Sequence, residues 1–505
     1  MKNKKNILTQ AALSFMLSAV VLYANTGLLS AKASENDLHP SVKSIPVYAA
    51  QNDSAEEVGE LQTEKQKADS VPLTFSSEQI SGDDLRCLQT TSVKWHLTFK
   101  SDTRISVTAA KPVSQLYFQF EIPCQWTLTL PDGTERQGGE NGFIHEYVDL
   151  EQSVSEFTVD VSEGTVFTGL FGFTQGETPD WVQKWLPPCE TADLLVLPTH
   201  SDDEFLWFGG ALPYYAGELG YEVQVVYMTN HYNNSFREHE RLNALWHVGV
   251  RHYPVVCEKF TDWFSTKKYE WAVEQFGYEN VLEFQVETLR RFHPRVVLAH
   301  DINGEYGHGA HILNAQTLLE ALPLTNDPEA FPESAEKYGI FNVQKCYVHL
   351  WEENQIIVKW EDMKLSQINN KSAMRMADEG YRENKSQCIY YSDPSYGQYD
   401  CRNFGLAFTT VGYDTPGKND MFEHIDRSEQ VRVYPSSISD EKNVSATDIP
   451  LPEPEAVENS KSFPSAAIAI ISSSGATVLL LIFIAVWLRN RTRRKGKVTD
   501  NESNT

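Results

Sequence analysis

The hydrophobic positions of this chain fall into three successive patterns. Between residues 71 and 178 apolar and polar residues alternate in short stretches: Val93–Phe99, Arg104–Ala109, Gln115–Phe120, Trp126–Leu130 and Phe157–Val161, parted by turn signals such as Pro131-Asp132-Gly133. A period of two marks strands with one dry face, so the segment is predicted to be a small β-sandwich. From 190 to 430 the pattern changes. Leu194–Leu197 and Val296–Ala299 are apolar throughout, as in parallel strands covered on both faces, while Phe236–Val248 and Ala310–Leu322 carry helical patterns. This predicts an α/β domain on a Rossmann-like, mostly parallel sheet. The third pattern is the unbroken apolar run Ala466–Leu488, long enough to cross a hydrocarbon core of roughly 30 Å.

The flanks of these segments indicate where the chain resides. Residues 1–33 join a basic start (Lys2, Lys4, Lys5) to an apolar middle and a small-residue end, Ala31-Lys32-Ala33, the pattern of a secretory signal peptide. The basic tail 489–505 behind the apolar run reads as a cytoplasmic stop-transfer flank. The chain is therefore expected at the cell membrane, as a single-pass protein with its bulk outside and one C-terminal helix as anchor; both ends look bacterial. Polar residues 34–70 read as a flexible spacer and 431–464 as a stalk. No internal repeat is present.

Charge narrows the partners. With 43 Lys and Arg against 69 Asp and Glu, the formal net charge is −26, which argues against nucleic acid, whose phosphates require a basic surface. Seven cysteines leave at least one unpaired; Cys87 with Cys124 and Cys388 with Cys401 are possible pairs that the sequence does not fix. Oligomeric state is not readable.

The candidate chemistry sits just past the two apolar strands. LLVLPTHSDDE ends in His200, Asp202, Asp203 and Glu204, at the carboxyl end of a strand, where open α/β sheets bind ligands. Unpaired carboxylates beside a dry core cost roughly several kcal/mol each, and a metal ion offsets that. The second strand runs into HDINGEYGHGAH, where His308 and His311 stand three apart, as do His200 and Asp203. His200, Asp203 and His311 make a three-ligand set with an open position, the usual holder of one catalytic Zn2+, though other divalent transition metals suit the same donors. Asp202 is then the candidate general base and His308 the proton donor or oxyanion partner. Glu204 reads as a cap or supporting contact. Asp262, in KFTDWF, is a candidate for the pocket mouth.

HSDDE after a strand, Gly209-Gly210, a strand ending at Thr229-Asn230, RxxE at Arg237 and Glu240, and a late GHxxH together resemble the PIG-L/LmbE-type deacetylases. The resemblance spans roughly 190–430. It implies a zinc-dependent hydrolase that removes acetyl groups from N-acetylglucosaminyl units, with His200, Asp203 and His311 on the metal, Asp202 as base and His308 on the oxyanion. It further implies that Tyr306 polarises the substrate carbonyl and Arg237 touches substrate hydroxyls. Ser201 departs from the family's usual proline, Ala310 from an aspartate beside the last ligand, and Asn384 from a histidine.

The expected function is removal of N-acetyl groups from N-acetylglucosamine-containing glycans or glycoconjugates outside the cell. Two alternatives stand beside it: an amidase on a bulkier glycoconjugate, and a non-catalytic glycan-binding surface protein. The last would use the sandwich, whose Trp95, Tyr117, Phe118, Trp126, Phe143 and Tyr147 suit either sugar faces or a core.

Overall fold

The computed structural model describes residues 66–368, 370–388 and 396–428. The expected signal peptide, most of the spacer, the stalk, the membrane helix and the tail lie outside the described residues. Among those described, no helix is long and apolar enough to cross a membrane.

Alternating positions of the parallel sheet explain its two covered faces. Leu194, Val196, Val225 and Leu298 enter one core, whereas Leu195, Leu197, Val226 and Val297 enter another on the opposite side. Each core is closed by helices: Phe236–His247 and Ala373–Glu383 on the first face, Tyr278–Phe292 and Gly309–Leu324 on the second. The sheet has seven strands in the order Val255–Val256, Val223–Tyr227, Leu194–Val196, Val296–Ala299, Lys345–His349, Asn403–Thr409, Gln355–Ile357. The first five are parallel, and Asn403–Thr409 runs antiparallel to both of its neighbours. The chain starts at Leu194–Val196, builds outward to one side, then returns to build on the other. The switch point thus falls between Leu194–Val196 and Val296–Ala299, and in open α/β sheets ligands bind outside the carboxyl ends of such strands. Gly209 has φ +55°, and a Cβ there would stand 2.7 Å from Cδ1 of Trp360, which explains one of the paired glycines after HSDDE.

The preceding segment forms one eight-stranded antiparallel sheet rather than a row of short strands. Arg104–Ala109 and Gln115–Phe120 are two halves of a single strand, Thr103–Phe120, whose register shifts between Thr108 and Gln115. The first half pairs with Leu73–Ser76 and the second with Val166–Phe173, while both pair along His145–Val161. The bend lets one sheet fold over its own core, Leu116, Phe118, Phe120, Trp126 and Phe167 among them. Of Val93–Phe99 only Leu97–Thr98 is strand. The spacer ends earlier than residue 70, since Ser70–Val71 pairs with Val166–Phe173 and Lys67 bridges Glu177. Tyr117, Phe118, Trp126 and Phe143 are buried, and Trp95 is exposed. All seven cysteines are free, so neither candidate disulfide forms.

The two sheets share a packed boundary. Phe143 stacks on Tyr253 at 4.2 Å between centroids, and the Ile144 N–H donates to the Tyr253 hydroxyl at 3.1 Å. Beside them His145 Nε2 lies 2.7 Å from His239 Nδ1, and His145 Nδ1 faces the Tyr117 hydroxyl and Gln183 Oε1, each at 2.8 Å.

Candidate metal centre

His200 is carried past the end of its strand by Pro198-Thr199, and Asp203 opens the short helix Asp203–Leu206. His311 lies in the first turn of Gly309–Leu324, which Asn314 ties to the same loop by donating to the Leu197 carbonyl and the Thr199 hydroxyl. Three atoms converge as a result: His200 Nδ1 and His311 Nε2 are 3.1 Å apart, and they stand 3.2 and 3.3 Å from Asp203 Oδ2. A tetrahedral ion held at zinc–nitrogen and zinc–oxygen distances has ligand edges of about 3.3 Å. The donor set and its triangle therefore fit a transition metal. The second carboxylate oxygen is occupied elsewhere, since Trp207 Nε1 donates to Asp203 Oδ1 at 2.8 Å.

His311 and Asp203 are electrostatically coupled. Burial alone would push His311 down, but Asp203 and Glu305 raise it to about 10. Asp203 is held well below the usual carboxylate range: burial opposes this, and His311 and His200 override it.

Glu305 was not among the residues singled out in the sequence, yet it organises the site. Its Oε2 lies 2.7 Å from His311 Nδ1 and 2.8 Å from His300 Nδ1, and its Oε1 lies 2.7 Å from His349 Nδ1. A carboxylate only accepts, so His311 carries a proton on Nδ1, and Nε2 becomes the ligand atom once a bound ion displaces the proton that Asp203 otherwise favours there. This supplies the orienting acid that Ala310 lacks. His300 is near enough to Asp203 and His311 to suggest an alternative ligand group. Its Nε2, however, accepts from the Thr199 N–H at 2.9 Å, which leaves it a supporting role.

Asp202 and His308 border the triangle. Asp202 has φ 118° and ψ −28°, a conformation that side chains other than glycine's rarely adopt. Among the described residues its carboxylate makes no hydrogen bond or ion pair. Burial raises it well above its usual value, helped by Asp203 and Glu204 and opposed by Arg237. His308 groups with His200 and His311, and its buried Nδ1 has no hydrogen-bond partner among the described residues. Burial, then His311 and His200, push it far down, so its resting form is the neutral imidazole. Tyr306, at φ 47°, keeps its ring 5.5 Å from that of His308 and 42% exposed.

Arg237 is buried, with Nη2 donating to the Ser201 carbonyl at 2.7 Å and Nη1 3.4 Å from Asp262 Oδ2. It braces the loop that carries Asp202. Glu240 accepts from the Ser386 N–H and hydroxyl, so the RxxE pair ties two loops to one helix. Asp262 stands 3.6 Å from His200 Nε2 and 3.4 Å from His231 Nδ1. Its carboxyl is kept low against burial by His200, His231 and Arg237. Glu204 is buried with Oε2 accepting from the Asp202 N–H, and burial lifts it to about 7.

Exposed aromatic side chains adjoin Asp262 in the chain. Trp263 is 52% exposed and Phe264 83%, directly after Asp262, and Asn233, next to the exposed Tyr232, donates to the Asp262 carbonyl at 2.8 Å. The segment is pressed against the His308 loop: a Cβ on Gly309 would come within 2.3 Å of Lys268 backbone.

No family model and no curated protein matches the chain. Similar solved structures include N,N'-diacetylchitobiose deacetylase from Pyrococcus horikoshii, at 18% identity over 40% of this chain and 72% of that one, with a TM-score of 0.31. A deacetylase of teicoplanin biosynthesis is 18% identical over 39% of this chain and 85% of its own, with a TM-score of 0.27. GalB, the 4-carboxy-2-hydroxymuconate hydratase from Pseudomonas putida KT2440, is 16% identical over 44% and 98%, also at 0.27. Likenesses this low carry no weight for chemistry, and the functional reading rests on the side chains.

Proposed function

We propose that this protein is a metal-dependent hydrolase that removes N-acetyl groups from N-acetylglucosamine-containing glycans or glycoconjugates. The observation that carries the reading is the triangle of His200 Nδ1, Asp203 Oδ2 and His311 Nε2, with edges of 3.1 to 3.3 Å, at the switch point of the sheet. His200, Asp203 and His311 would hold the ion, and zinc in such a set supplies Lewis acidity and lowers the pKa of water.

The chain's own groups divide the remaining work. Asp202, whose carboxylate makes no hydrogen bond or ion pair among the described residues, takes the proton of the attacking water. His308, neutral at rest, donates a ring N–H hydrogen bond to the oxygen that gains charge, and Tyr306 offers a hydroxyl from the rim. Asp202 then returns its proton to the departing amine, giving acetate and a free amino sugar. Trp263 and Phe264 favour a sugar substrate, whose C–H faces pack on exposed aromatic rings. Secretion, membrane anchoring and the external location remain part of the proposal, on the sequence of both ends.

The test is acetate release from short N-acetylglucosamine oligomers by the full-length chain, with Asp202→Ala as control. Acetate from the parent and none from the variant is expected. Release of a larger acyl group only would instead favour the bulkier-substrate amidase, and glycan retention without turnover would favour the binding protein.

A further inference from the structure

We propose that Cys189, Glu222 and His252 form a second transition-metal site, a structural one, at the end of the parallel sheet opposite the candidate catalytic centre. Glu222 immediately precedes the strand Val223–Tyr227 and Cys189 lies upstream of Leu194, whereas His200 and Asp203 follow the carboxyl ends.

One donor atom from each of the three residues lies within 4.8 Å of the other two. His252 Nε2 is 2.7 Å from Glu222 Oε2, and Cys189 Sγ is 3.8 Å from the same oxygen. His252 Nδ1 is 2.6 Å from the Pro187 carbonyl. Only a protonated Nδ1 can face a carbonyl, and the carbonyl fixes the tautomer of a metal-bound imidazole in the same way, leaving Nε2 for the ion. An imidazolium–carboxylate pair would satisfy His252 and Glu222 yet leave Cys189 a weak thiol contact. A borderline-soft ion such as zinc uses all three donors, while calcium and magnesium have no use for sulfur.

The three segments are held in place by their own backbone. The Leu186 N–H donates to the Arg251 carbonyl and the Tyr253 N–H to the Leu186 carbonyl, each at 2.9 Å, which fixes His252 beside Pro187. The Cys189 N–H donates to Gln224 Oε1 at 2.9 Å, and the Glu222 N–H to Asp193 Oδ2 at 3.1 Å. Glu222 is exposed and His252 partly so, which leaves an entry path from solvent. A metal here would staple the segment leaving the antiparallel sheet onto the first strands of the parallel one. The site does not depend on the deacetylase reading.

The test is a cobalt titration of the metal-stripped full-length chain. Two equivalents are expected, one of them with the near-ultraviolet sulfur-to-cobalt charge-transfer band of thiolate ligation. Cys189→Ser should lose that band and one equivalent while keeping the other, which also shows that the variant folds. His252→Gln should weaken the thiolate-bearing equivalent by at least about tenfold, the scale on which even a ligand's supporting partners act. Asp203→Asn should remove the other equivalent and leave the band. A parent without a thiolate band, or a band that survives Cys189→Ser, overturns the proposal.

Discussion

Asp202 pays for its position. A non-glycine residue at φ 118° carries roughly 1–3 kcal/mol of strain, and it persists because its neighbours are pinned. The Ser201 carbonyl is held by Arg237, the Ser201 N–H by His231, and Asp203 by the histidines. Asp202→Gly should therefore raise stability by about 1 kcal/mol in urea denaturation. The same variant should lower turnover by about 10²-fold or more. Loss of both stability and activity would mean that the strain is not where the structure puts it. Glu305 acts through His311. Glu305→Gln still offers an acceptor oxygen but lacks the charge that keeps the Nδ1 proton in place. Metal affinity at the triangle should fall about 10- to 100-fold, read by competition with a chelating dye. A variant that binds metal as tightly as the parent would remove Glu305 from this role.

At the scale of elements, the sequence showed the candidate ligands and hid the side chains packed around them. Each cluster follows an apolar run, so HSDDE and GHGAH were legible from local pattern alone. His300 directly follows the strand Val296–Ala299 and His349 ends Lys345–His349, but their relevance depends on sheet order. These strands lie side by side next to Leu194–Val196, which brings three histidines and Glu305 to one place. Adjacency of strands distant in sequence is tertiary information. The same limit explains the antiparallel module: alternation revealed its strands, but the join of Arg104–Ala109 to Gln115–Phe120 passes through Lys111 and Pro112, which read as a break. The segment after Asp262 gives a prediction of its own. Trp263→Ala and Phe264→Ala should raise KM for tetramers of N-acetylglucosamine several-fold and leave the monosaccharide nearly unchanged. Equal effects on both lengths would show that these rings do not bind neighbouring sugars.

Over the whole molecule, the boundary between the two sheets is expected to weaken in acid. Burial lowers His145 to about 4, and His239 beside it is pushed down too, by burial first and then by His145 itself. The unfolded chain protonates such a histidine near pH 6.5, about its ordinary value, and the folded chain resists until about pH 4. Stability is thus full above about pH 6.5 and declines as pH falls towards 4. Urea midpoints should drop across that window, with a shallower slope in His145→Gln; an unchanged slope would clear this pair. Metal dependence is read from acetate release from N-acetylglucosamine oligomers by chelator-stripped full-length chain, titrated with zinc. No release is expected before zinc, with recovery on its addition and no recovery in His200→Ala. Turnover that survives chelation, or that zinc restores to His200→Ala, would contradict the proposed metal centre.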